Sequence, residues 1–158
     1  MSFNIEYLFG PETGMFLAGL GVAIAIFLAG TGSARAVGMA GEAAAALTRE
    51  KPELFGQALV LQLLPATQGL YGFVIGLIIL LNIESGMDAS QGWYLLAASL
   101  PVAITGFTSA PSQAKASIAG MQILAQRPEN VTQGIVYSAM VETYAILGFV
   151  ASLLMIVL

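Results

Sequence analysis

Four long apolar stretches alternate with short polar ones along the chain, at about Gly14–Ala34, Phe55–Ile83, Trp93–Ser112 and Val131–Leu158. Each is near or above the ~20 residues that an α-helix needs to cross a bilayer. No water is available there to satisfy the backbone, so the pattern predicts four transmembrane helices. Four crossings bring both termini to one side. The basic residues Arg35, Arg49, Lys51, Lys115 and Arg127 fall at or near the connections between helices 1 and 2 and helices 3 and 4. Lys and Arg favour cytoplasmic ends, so these two loops are expected to be cytoplasmic. Glu6, Glu12, Glu84 and Asp88 lie on the other side without a basic residue among them, which predicts extracellular termini. Residues 1–13 contain no Lys or Arg and thus no signal-peptide n-region, so the N-terminus is expected to be retained.

The second half repeats the first. At an offset of 76, Pro52-Glu53 aligns with Pro128-Glu129, Gln57 with Gln133, and Gly72-Phe73-Val74 with Gly148-Phe149-Val150. Ala40-Gly41 matches Ala119-Gly120 at 79 instead, which predicts three inserted residues near Leu47–Lys51 in the first cytoplasmic loop. The chain therefore reads as two tandem helical hairpins, 1–86 and 87–158, the second carrying a carboxylate, Glu142, where the first has Ala66. Helices 1 and 3 carry many small residues, among them Gly14, Gly21, Gly32 and Gly106, which allow close backbone approach. That suits a crowded ring with these helices innermost.

Composition narrows the chemistry. Hydrophobic residues make up 58% and charged residues 9% of the chain, against roughly 45–50% and 25% in an ordinary soluble domain. Without Cys or His there can be no disulfide, thiol nucleophile or imidazole base, and the usual zinc ligands are missing. A net charge of -4 with scattered basic residues leaves no footprint for nucleic acid. Arg35 and Lys115 are expected to snorkel to the interface. Glu42, Glu50, Glu53 and Glu129 are expected to be solvated or helix-start charges.

Glu142 is different, because a carboxylate within an apolar helix is costly unless protonated, paired or coordinated. Gln113 lies 14 residues before Arg127 and Glu142 lies 15 after it, so both sit about 20 Å from their shared loop at ~1.5 Å per residue. The repeat places Thr67 and Gln68 within roughly 3 Å of that depth. Pro65 should free the carbonyl of Leu61 and bend helix 2 beside them. Tyr71, one turn on, can reach the carboxylate. Such oxygens suit an unhydrated cation better than a catalytic transition state, and no nucleophile–base pair accompanies them.

At these residues the chain resembles the membrane rotor proteolipid of V-type ATPases, the duplicated four-helix form (K or c) of bacterial sodium-translocating enzymes. The resemblance spans essentially the whole chain and is most specific in GEAAAALT at 41–48, FGQALVLQLLPATQGLYGFV at 55–74 and MVETYAILGFV at 140–150. It implies an all-α integral membrane protein assembling into a rotor ring of identical copies, each carrying one cation and turned by ATP hydrolysis in a soluble head. It implies sodium ligands at the Leu64 carbonyl, Thr67, Gln68, Gln113 and Glu142, with Tyr71 as hydrogen-bond partner of Glu142. The implied partners are a stator membrane subunit with an essential arginine, central stalk subunits at the cytoplasmic loops, and the lipids of the cell membrane. The chain is then no enzyme by itself and has no covalent cofactor. Pro111, two residues before Gln113, departs from the pattern and is expected to free the Phe107 carbonyl and shift Gln113. The alternatives are a rotor carrying protons and a small four-helix proton-coupled exporter.

Overall fold

The computed structural model describes Gly10 and residues 12–158; Glu6 and most of the acidic N-terminal stretch lie outside the described residues. Four helices are long and apolar enough to cross a membrane: α1 (Thr13–Glu50), α2 (Pro52–Leu81), α3 (Ala89–Gln126) and α4 (Pro128–Val157). Every regular element among the described residues is helical.

Helices α1 and α3 are each 38 residues long, far beyond the apolar stretches that announced them. At 1.5 Å per residue they reach about 57 Å, well over the ~30 Å of a hydrocarbon core. Arg35 and Lys115 therefore sit inside helices rather than at the connections expected for them. The cause is local. The charge of Arg35 ends the hydropathic stretch, but the alanines of Gly41–Thr48 beyond it are strong helix formers. Ala40 and Ala44 are also buried against Leu54, Ala58, Leu61, Met121 and Leu124.

Each tip turns on one non-helical residue, Lys51 or Arg127, followed by a proline that opens a 3₁₀ turn. Proline fits there because the first amides of a helix have no internal partner. Lys51 Nζ donates to the Ala125 carbonyl and so ties the two tips together. At the other end Asp88 caps α3, accepting from the Gln91 amide at 2.8 Å. The Ser90 hydroxyl and that amide hold the Asp88 carboxyl below its ordinary range.

The expected three-residue insertion is absent. α1 and α3 begin at 13 and 89 and end at 50 and 126, an offset of 76 at both ends, and Lys51 and Arg127 share nearly the same backbone conformation. The match at 79 was a coincidence among small residues.

α1 and α3 lie backbone against backbone. A Cβ on Gly32 would stand 2.6 Å from Phe107 Cα, and one on Gly106 would stand 2.8 Å from Ala29 Cβ. Gly120 and Gly134 make the same kind of approach between α3 and α4. One apolar cluster gathers Ala18, Ala25, Ile75, Ile79, Leu95 and Val102. A second gathers around Leu61 and Leu124 toward the Lys51 and Arg127 tips. Ser33, Gln68, Gln113, Ser117 and Ser138 are buried between the two, as a polar layer at mid-height.

Replacing Gly106 by Leu forces a side chain into Ala29 and should lower stability by about 1–3 kcal/mol or prevent folding. A Cβ on Gly56 would meet nothing within 4 Å, so Gly56→Leu should gain roughly 1 kcal/mol of helix propensity. Thermal unfolding of the two variants in detergent should move in opposite directions.

Candidate cation site

The site is built on a break in α2. Pro65 has no amide to donate, and the helix tightens there into a 3₁₀ turn over Leu64–Ala66. From α1, the Ser33 hydroxyl is shared between the carbonyls of Pro65 at 2.9 Å and Ala66 at 3.0 Å. The Thr67 hydroxyl donates to the Leu64 carbonyl at 3.1 Å, so the restarted helix is anchored to the turn before it. It also lies 3.5 Å from Gln68 Oε1.

Gln68 and Gln113 are both fully buried. Gln68 Nε2 donates to Gln113 Oε1. Gln113 Nε2 in turn lies 3.4 Å from Glu142 Oε2. The Tyr71 hydroxyl donates to the other carboxylate oxygen, Oε1, at 2.7 Å. Its ring is held against Phe149, with centroids 5.3 Å apart. The structure thus joins Leu64, Thr67, Gln68, Tyr71, Gln113 and Glu142 in one hydrogen-bonded network.

Pro111 does not displace Gln113. α3 runs unbroken through both Pro101 and Pro111, and Gln113 faces Gln68 and Glu142. Near Pro101 the Val102 amide donates to the Ser152 hydroxyl at 3.0 Å.

Chemically, the constellation offers one negative charge beside neutral amide, hydroxyl and carbonyl oxygens. Among the described residues there is no group of three or more acidic, His or Cys side chains fit to hold a metal ion. A lone carboxylate among neutral oxygens balances one positive charge, and hard oxygens without thiolate or imidazole favour a hard cation. A divalent ion would leave net charge in an apolar setting.

Two contributions escaped the sequence. Ser33 reads as one more small residue on α1, and only the fold brings it to Pro65. Ser117 and Ser138 hydrogen-bond at 2.8 Å, closing α3 against α4 below Glu142. Their mutual hydrogen bond, which the sequence does not show, distinguishes them from packing serines.

The family model for the C subunit of ATP synthase matches the chain twice, at residues 20–79 and 96–155, segments that begin 76 residues apart. The chain is 56% identical to the V-type sodium ATPase subunit K of Enterococcus hirae over 96% of this chain and 97% of that one. It is 34% identical to the A-type ATP synthase subunit K of Methanocaldococcus jannaschii, over 90% of this chain and 63% of that one. Against the 16 kDa proteolipid of the V-type proton ATPase of Ovis aries the identity is 23%, over 92% and 94% of the two chains.

Ser33→Ala leaves two carbonyls of the 3₁₀ turn without their side-chain donor and should cost about 1–3 kcal/mol in unfolding free energy. Thr132→Ala, on an exposed position of α4, should stay within about 0.5 kcal/mol. Unfolding in a denaturing detergent series compares the two.

Proposed function

The chain belongs to the family of the ATP synthase C subunit, and on that footing we propose that this multi-pass membrane protein is the sodium-carrying rotor subunit of a rotary V-type ATPase. Identical copies form a ring in the cell membrane. Glu142 takes one cation per copy, carries it round the lipid-facing rim, and gives it up where a stator arginine competes for the carboxylate. ATP hydrolysis occurs in other subunits, so the chain transports and does not catalyse.

The observation that carries this reading is a single carboxylate hydrogen-bonded to a fully buried amide at mid-height of the bundle. Placing neutral amides there is costly unless they meet a ligand or one another. A proton needs only the carboxylate. Sodium must have its lost waters replaced by oxygens in good geometry, which the Leu64 carbonyl, Thr67, Gln68, Gln113 and Glu142 would supply. Tyr71 would hold the carboxylate in place. With sodium bound the site is neutral overall, the condition for facing lipid. The Enterococcus hirae relative, a V-type sodium ATPase subunit, agrees with this choice.

A carbodiimide modifies the protonated acid, so sodium at constant pH should protect Glu142 from labelling, and Gln68→Ala or Gln113→Ala should raise the sodium needed at least tenfold. Labelling that follows pH alone and ignores sodium would make this a proton rotor.

We further read the tips at Arg49–Lys51 and Arg127 as cytoplasmic contacts for the central stalk, with the termini extracellular. Cysteines placed at the tips should crosslink to stalk subunits. Crosslinks from Glu84–Ser90 instead would invert the topology.

A further inference from the structure

α1 supplies none of the ligands proposed above, yet it is packed against the two helices that supply the neutral ones. On one side the Ser33 hydroxyl donates to the carbonyls of Pro65 and Ala66 in the break of α2. On the other, a Cβ on Gly32 would stand 2.6 Å from Phe107 Cα, and Ala36 clusters with Ala110 and Ala114, which flank Gln113. One short stretch of α1 thus joins the broken turn of α2 to the part of α3 that carries Gln113.

The join is specific to Ser33. The hydroxyls of Thr31, Thr48, Ser99, Thr105, Thr108 and Thr143 all donate to carbonyls of their own helix. Among the described residues, only the Ser33 hydroxyl donates to main-chain carbonyls of another helix. Gly69 makes room for it, since a Cβ there would stand 3.1 Å from Ser33 Cβ and 3.2 Å from its Oγ. The repeat supplies a contrast. Ser109, 76 residues on, has no hydrogen-bond partner among the described residues, and α4 has no break for it to hold.

Leu64, Pro65 and Ala66 are the three residues of the 3₁₀ turn. At about three residues per turn their carbonyls divide one full turn among them, so holding two of the carbonyls sets the direction of the third. The two that Ser33 holds face α1. The third, that of Leu64, accepts from the Thr67 amide and, at 3.1 Å, from the Thr67 hydroxyl. Ser33 therefore occupies the two carbonyls outside the proposed ligand set and orients the one inside it.

We propose that Ser33 is a positioning residue for the cation site, fixing the gap between the ligands of α2 and Gln113 of α3 and so selecting the ion by size. This role rests on the sodium reading above and adds what holds the site at one width. A gap fixed from both sides accepts the ion whose ligand distances match it and disfavours a smaller one, because the oxygens cannot follow that ion inward. Without the Ser33 hydroxyl the turn is free to rotate, the Leu64 carbonyl closes on a smaller ion, and the carbonyls of Pro65 and Ala66 compete for it. Lithium is smaller than sodium and carries the same charge, so it tests size alone.

Carbodiimide labelling of Glu142, read by the mass of the adduct in membranes that hold the assembled complex, gives the concentration of each ion that protects half of the carboxylates. In Ser33→Ala that concentration should rise about tenfold or more for sodium, as for other lost outer-shell partners, and less for lithium. The preference for sodium over lithium then narrows. Ser33→Cys keeps a weaker donor and should fall between Ser33→Ala and the unmodified chain. Gly69→Ala leaves Ser33 in place but drives a methyl against it, and should narrow the preference in the same way. These two variants carry the test alone if Ser33→Ala does not assemble. The pH of half-labelling without sodium should stay as in the unmodified chain, because Tyr71 and Gln113 meet the carboxylate and Ser33 does not. A merely loosened bundle would move sodium, lithium and the pH midpoint together. That result, or an unchanged sodium requirement and sodium-to-lithium preference in the variants, would overturn the role of Ser33. If sodium fails to protect the unmodified chain, the sodium reading falls first and the role of Ser33 falls with it.

Discussion

The cost of a carboxylate in an apolar helix governs the middle of this molecule. Glu142 cannot stay charged there without partners, and its partners need partners in turn. Tyr71 meets one carboxylate oxygen and Gln113 the other, Gln113 is held by Gln68, and Gln68 stands on a helix that restarts at Thr67. The restart exists because Pro65 breaks α2, and Ser33 takes the two carbonyls of the break. One acidic group on α4 thus imposes polar side chains on all three other helices. The apolar clusters above and below isolate that layer from both ends of the bundle.

Much of this was legible in the chain because membrane helices obey few rules. Counting residues from Arg127 set Gln113 level with Glu142, and the two side chains do meet. Where reading failed, the lost information was not local. Hydropathy ends α1 near Ala34, while the helix continues to Glu50 because alanines and contacts with α2 and α3 hold it. The expected loop insertion came from matching two small residues, which carry too little information to fix register. Ser33 stayed hidden because a serine that bonds carbonyls of another helix looks, in one dimension, like a serine that packs.

The duplication also shows how one architecture came to serve two ends. The Thr67 bond to Leu64 and the Thr143 bond to Met140 are the same local device at one offset. In the first hairpin a proline breaks the helix beside it, and Ser33 bonds the break. In the second, Val141 replaces Pro65, the helix is unbroken from Val131 to Val157, and Ser109, the counterpart of Ser33, finds no acceptor among the described residues. The halves diverged by division of labour, the first supplying Leu64, Thr67 and Gln68 and the second the charge together with the Gln113 amide.

The paired long helices carry a mechanical consequence. α1 and α3 touch from Gly14 beside Gly92 at one end, through Gly32 beside Phe107, to Lys51 clasping Ala125 at the other. Sliding one along the other would have to break contacts over nearly 57 Å at once. Glycine seams of that length make a stiff twin beam with little play between its members. A sideways push on the tips is therefore transmitted to the level of Glu142 as displacement of the whole chain, with little absorbed as bending along the way.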